Sequence, residues 1–195
     1  MNKKWQIYET NTEEVKRIKS KYQLNELLAT ILVNRNIIKE DDIKLFLNPT
    51  RDDFYDPFLI TDMEKAIEKI VKAIQEKQKV TIYGDYDVDG ITSITVLKSF
   101  LKDIGLETSS YIPNRLDEGY GLNKDAIDTI KQSGCDLMIT VDCGISAIEE
   151  IEYANFLGIE TIVTDHHEPA EELPKAIAVV DAKRKDNKYE CRNLA

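Results

Sequence analysis

With 195 residues, 42% of them hydrophobic, the chain can bury one ordinary core plus a smaller appendage. No stretch approaches the roughly 18 apolar residues of a membrane span, and the three cysteines Cys135, Cys143 and Cys191 lack zinc or disulfide spacing, so a cytoplasmic protein with no membrane partner is expected. The formal net charge of −10 argues against holding nucleic acid by a bulk basic excess, although carboxylates that bind divalent cations would reverse the field locally.

The first 75 or so residues read as mostly helical. Lys16, Arg17, Lys19 and Lys21 form a basic cluster that reads as a solvated face, and Leu24, Leu27, Leu28, Ile31 and Leu32 follow at helical spacing. Ile43, Leu45, Phe46 and Leu47 suggest a shorter helix. Pro49 and Pro57 bracket a turn, and Asp62 is placed to cap a helix carrying Ala66, Ile67, Ile70, Val71 and Ile74. After Lys79 short β-branched runs alternate with amphipathic segments. Strands are predicted at 80–83, 108–112, 137–141, 161–164 and 176–180, with helices over 92–103, 123–132 and 145–157. A second basic cluster, Lys183, Arg184, Lys185 and Lys188, again reads as a solvated face. Such alternation predicts an α/β, Rossmann-like, mainly parallel five-stranded sheet with helices on both faces, preceded by a helical N-terminal segment. Functional groups then collect at the carboxyl ends of the strands.

Three of the predicted strands run into aspartate. The first leads into Gly84-Asp85-Tyr86-Asp87-Val88-Asp89-Gly90, the third into Asp142-Cys143-Gly144, and the fourth into Asp165-His166-His167. In extended chain Asp85, Asp87 and Asp89 point the same way, and like charges that close repel unless cations sit between them. Gly90 permits a sharp turn, and Thr92 and Ser93 fall near a helix start, where backbone amides can receive an anion. An EF-hand loop opens with the same acidic spacing, but its twelfth position, counted from Asp85, is Val96 rather than glutamate. Asp142 alone could equally cap the next helix. The adjacent His166 and His167 are the only histidines in the chain; one can ligate a metal while the other faces substrate, with Asp165 orienting a ring.

Carboxylates with imidazole suit manganese or magnesium better than zinc. Two such ions, roughly 3.5–4 Å apart, would clamp a phosphoryl group and ionise the attacking water, so phosphoester hydrolysis is the expected reaction class. A nucleophilic mechanism through Cys143 is less attractive, since no Gly-x-Ser-x-Gly elbow is present, and there is no P-loop.

In order and spacing, Asp85-x-Asp87-x-Asp89-Gly90, Val141-Asp142-Cys143-Gly144 and Asp165-His166-His167 resemble the first three motifs of the Asp-His-His phosphoesterases. Tyr83 to Ser93, Ile112-Pro113-Asn114-Arg115, Glu118 to Leu122 and the helical leader resemble the RecJ exonuclease branch of that family. The resemblance implies that Asp87, Asp89 and Asp142 bind Mn2+ or Mg2+, Asp142 bridging two ions, with His166 as the imidazole ligand and Asp85 as a further metal candidate. It also implies that His167 faces the scissile phosphate, that Asp165 supports the histidines from behind, and that Arg115 contacts a phosphate, while Thr92 and Ser93 stay substrate-side candidates through the helix start. Residues 1–75 would then be a helical N-terminal segment and 76–195 a phosphoesterase domain. The family's continuation would lie beyond Ala195, so a weakly active or inactive fragment is expected. Two positions depart from the branch: Asp181-Ala182 and Tyr189-Glu190 stand where proline is usual at the second position of each pair.

The implied activity is 5′-to-3′ exonuclease action on single-stranded DNA in repair and recombination, with a single-strand-binding protein and a repair helicase as partners. Two alternatives remain open, a small-nucleotide phosphodiesterase of the same family and a non-catalytic binding module.

Overall fold

Helices begin in this protein where a short polar side chain can take up free amide hydrogens. Asn11 accepts from the N–H groups of Glu13 and Glu14 and starts α1 (Thr12–Tyr22), and Asn25 accepts from Leu28 N–H and starts α2 (Glu26–Asn34). The structure, a computed structural model, describes residues 7, 9–114, 119, 121–192 and 194. It divides into two compact units, Met1–Phe54 and Tyr55–Ala195.

In the first unit α1, α2 and α3 (Glu40–Leu47) bury Val15, Ile18, Ala29, Leu32 and Ile43 together. The α2 stripe is narrower than its spacing suggests, since Leu27 and Ile31 are exposed and Ala29 takes a core position instead. Both Leu45 and Phe46 of α3 are exposed as well. The basic cluster on α1 is a surface, but a paired one. Arg17 meets Glu14, Lys19 meets Glu26 and Lys21 meets Glu40.

The second unit is a five-stranded parallel sheet in the order β2-β1-β3-β4-β5, built from β1 (Val80–Gly84), β2 (Thr108–Tyr111), β3 (Leu137–Val141), β4 (Glu160–Thr164) and β5 (Ala178–Val180). Val80, Ile82, Ile139, Val141 and Ile162 face one side, where α4 (Met63–Glu76) and α5 (Val88–Asp103) contribute Ala66, Ala73, Ile94 and Leu101. Their sequence neighbours Tyr83, Met138 and Val163 face the other, against α6 (Lys124–Gln132) and α7 (Ile148–Phe156). Burial on both faces explains why β1 and β3 are wholly buried and read as unbroken β-branched or apolar runs. At the edge, β2 is half polar, and Ser109 pairs with Thr81 through their hydroxyls. Among the described residues no helix is long and apolar enough to cross a membrane.

Three expectations need correction. Helix α5 starts at Val88 rather than at 92, because the Asp87 side chain accepts from the N–H groups of Asp89 and Gly90 and so turns the acidic motif itself into the first helical turn. Asp85, Asp87 and Asp89 are therefore not alternate residues of one extended strand. Asp62 precedes α4 but makes no side-chain cap; its backbone is left-handed, φ 64°, and its carboxylate accepts instead from Arg184, Lys65 and Val179 N–H. Finally, Arg184 of the second basic cluster is buried, not solvated. Its guanidinium donates to Asp62 at 2.7 Å, to the carbonyl of Val179, and to both oxygens of Asp186, tying the start of α4 to the loop after β5.

Removing one partner of a buried ion pair leaves the other charge uncompensated. Arg184→Ala should lower unfolding stability by about 3 kcal/mol, toward the small end of the usual range because Lys65 still reaches Asp62. Urea unfolding measures this, and a loss below about 1 kcal/mol would show that the pair is dispensable.

Candidate metal centre

In the strand order β2-β1-β3 the chain crosses from β1 to one side and returns on the other, which opens a crevice at the carboxyl ends of β1 and β3. Asp85 follows β1 and Asp142 follows β3. Asp165, next after β4, donates its N–H to Val180 O and so lies level with the end of β5. Parallel pairing in register thus brings the acidic strand ends to one edge of the sheet.

Asp142 is the most constrained of them. Its backbone is left-handed, φ 58°, a conformation that aspartate tolerates better than most residues, and its N–H donates to Thr164 O at 3.1 Å. The residue is 6% exposed, which decides its chemistry, because a carboxylate so buried needs partners. Oδ1 has one: Nε2–H of His166 donates to it at 2.8 Å in the tautomer that leaves Asp142 ionised. Among the described residues, Oδ2 is buried with no hydrogen-bond partner. Burial pushes the Asp142 carboxyl pKa up, the His166 contact opposes the shift, and the nearby Asp87 charge adds to it. Asp87 itself is held below its ordinary value, chiefly by the Gly90 N–H.

Asp165 plays a different part. Both of its oxygens are taken: Oδ1 accepts from His166 N–H at 2.7 Å, His167 N–H at 3.1 Å and His167 Nδ1–H at 2.7 Å, and Oδ2 accepts from Ile145 N–H at 2.9 Å. It is an organiser of the histidines. His166 borders a cavity of 240 Å3 that also meets Asp89, Ser93, Asp142 and Asp181, whereas His167 borders a second, of 280 Å3, with Gly144, Ser146 and Glu168. Asp142, His166 and His167 each present one ligand atom, all within 4.8 Å of one another, a spacing that a single ion can gather.

The other candidates distribute as follows. Asp85 is fully buried; Oδ1 accepts from Tyr86 N–H at 2.7 Å and Oδ2 has no partner. The first turn of α5 rests on its backbone so closely that a side chain at Gly90 would put Cβ 2.3 Å from Asp85 O, which is why glycine follows Asp89. Ser93 borders the 240 Å3 cavity, but the Thr92 hydroxyl donates back to Val88 O at 2.6 Å. Arg115 lies outside the described residues. Burial pushes the Cys143 thiol well above its ordinary pKa, so it is no nucleophile. One site residue escaped the sequence reading: Asp181, 1% exposed, with Oδ2 unpartnered at the same cavity. Its signal was its place directly after β5, the position that Asp85, Asp142 and Asp165 hold after their own strands.

Three buried carboxylate oxygens without donors, on Asp85, Asp142 and Asp181, fit a site built for cations. The model of the DHH family, N-terminal domain, matches residues 79–193. Over 192 residues the chain is 40% identical to the single-stranded-DNA-specific exonuclease RecJ of Bacillus subtilis, a match covering 98% of this chain and 24% of that protein. Its Escherichia coli counterpart is 36% identical over 137 residues, covering 70% of this chain and 24% of the relative. A crystal structure of exonuclease RecJ bound to manganese superposes with a TM-score of 0.62 at 32% identity, covering 68% of this chain and 34% of that one. The chain thus spans about a quarter of the length of the curated relatives it matches.

In the metal-free protein, His167 should titrate above its ordinary value. Burial opposes that rise, but the hydrogen bond to Asp165 and the negative charge around it prevail. Since the folded value is raised, this contribution to stability is full below the unfolded pKa and is lost as pH climbs through the folded one. Histidine NMR titration in chelator should show the Asp165→Asn variant with a lower His167 pKa; an unchanged value would mean that Asp165 does not set the ring's charge.

Proposed function

The chain belongs to the DHH family, and on that footing we propose that its cluster of aspartates and histidines is the metal centre of a phosphodiesterase that removes nucleotides from single-stranded DNA. The observation that carries the reading is Asp142: buried, shared with His166 through one oxygen and unpartnered at the other, it is poised to bridge cations. Two ions, Mn2+ or Mg2+, fit the oxygen-rich donor set better than zinc.

Asp87, Asp89, Asp142 and His166 would hold the ions, with Asp85 as a further candidate beneath the first turn of α5. Cations bound there supply Lewis acidity and a water ionised near neutral pH. The Nε2–H that His166 donates to Asp142 occupies the position a cation would take, so His166 would ligate through Nε2 as its other neutral tautomer, with the proton on Nδ1. His167, with its ring oriented by Asp165 through Nδ1, would present its other edge to the scissile phosphate. Ser93 would serve the substrate side of the cavity, while Thr92, tied to its own helix, would act only through the helix start, and Arg115 is kept as a phosphate contact on the resemblance alone.

The substrate assignment is supported by the names of the relatives, which are single-stranded-DNA-specific exonucleases. We take the polarity to be 5′ to 3′, the setting to be repair and recombination in the cytoplasm, and the partners to be a single-strand-binding protein and a repair helicase.

The test, in a protein of the relatives' full length that carries this sequence, is Mn2+-dependent hydrolysis of end-labelled single-stranded oligonucleotides of increasing length, with Asp142→Asn beside the wild type. Mononucleotide release sustained on long strands, and reduced at least about 100-fold by the substitution, is the expected result. Turnover restricted to dinucleotides would replace the exonuclease with a small-nucleotide phosphodiesterase, and metal-independent turnover would sink the metal centre.

A further inference from the structure

Asp181 is assigned no role by the motifs, yet its surroundings resemble those of Asp142. Its carboxylate is 1% exposed. Oδ1 is locked by the Lys183 N–H at 2.7 Å, so the group cannot rotate freely and the direction of Oδ2 is set. Among the described residues that second oxygen has no donor, and the residue lines the cavity shared by Asp89, Asp142 and His166. Among the described residues, the adjacent basic side chains give it no hydrogen bond. Lys183 reaches Glu168 at 3.6 Å, and the Arg184 guanidinium is committed to Asp62 and Asp186. A buried carboxylate with one fixed oxygen and one open oxygen calls for a donor from within the cavity.

We propose that Asp181 accepts a hydrogen bond from a water carried by the cation at Asp142 and His166, and thereby fixes the metal's coordination on the β5 side. The inference rests on the metal-centre reading above. Asp142, His166 and His167 present ligand atoms within 4.8 Å of one another, a set that among the described residues does not include Asp181, and a bridging water would span the remaining gap. Manganese and magnesium characteristically keep several waters, whose protons need oriented acceptors. Asp181 is a positioning residue.

Calorimetric titration of the chain with Mn2+ tests this, using the wild type, Asp181→Asn and Asp142→Asn, with thermal unfolding of each in chelator. Asparagine keeps the acceptor for Lys183 N–H and removes the charge. Asp181→Asn should weaken Mn2+ binding by about 10-fold while the metal-free Tm stays the same or rises, because an unpaired buried charge has gone. An unchanged Kd overturns the proposal, and so does a lowered metal-free Tm, which would assign the carboxylate to the fold. Binding lost in Asp142→Asn but intact in Asp181→Asn defeats this inference alone. A wild type that binds no Mn2+ defeats the metal centre itself, and this inference with it.

Discussion

Everything at the carboxyl edge of the sheet depends on the cost of keeping carboxylates in a dry place. Asp85, Asp142 and Asp181 each hold one oxygen with a hydrogen bond and leave the other buried and unmet. A protein that only needed to fold would replace such groups with apolar ones at a gain in stability. Their retention at the ends of three different strands of one sheet makes sense if something positively charged completes them. In that view the metal centre is the condition under which this edge of the molecule is at low energy.

The sheet supplies the geometry for this at little cost. Parallel strands in register deliver their last residues to one level, and the left-handed backbone at Asp142 then swings its carboxylate toward His166 on the neighbouring connection. Asp87 does two jobs with one side chain. By accepting the first free amides of α5 it starts the helix, and the same hydrogen bonds hold it ionised beside Asp142. Asp165, with its four accepted hydrogen bonds, works without facing metal. It locks two successive backbone amides and one ring, so the two histidines border different cavities.

Strand order aside, most of this edge was readable from residue type and spacing, because a doubly covered parallel sheet forces β-branched runs and the turn after each run is where aspartate stood out. What could not be read has definite physical reasons. The start of α5 was placed late because Asp87 was treated as strand, whereas a side chain that can cap its own downstream amides makes helix available four residues earlier. Leu27 and Ile31 were given to a core that had room for Ala29 and Leu32, and spacing alone does not report how wide a stripe three short helices can cover. Arg184 sat inside a basic run that looked solvated; its partners Asp62 and Asp186 include one 122 residues away, which no local pattern contains. Asp181 carries no local motif: it follows a three-residue strand, and only the folded sheet brings it to the cavity of Asp89, Asp142 and His166.

If the chain acts on nucleic acid as proposed, an acidic protein of net charge −10 has to attract a polyanion. The basic residues of α1 do not supply that attraction, since Arg17, Lys19 and Lys21 are each engaged by a glutamate and surface pairs of this kind leave little net field. Arg184 is buried and satisfied, and Lys183 is near Glu168. On the proposed reading attraction would arise where the carboxylates are densest, which is paradoxical only while they stand without cations. Two divalent ions would bring four positive charges to a cavity with low-dielectric walls, and a field focused there would act on the one phosphate that enters rather than along a whole strand. A site of this design would bind weakly at a distance and tightly at the point of reaction, so its discrimination would lie in the chemical step more than in retention of the strand.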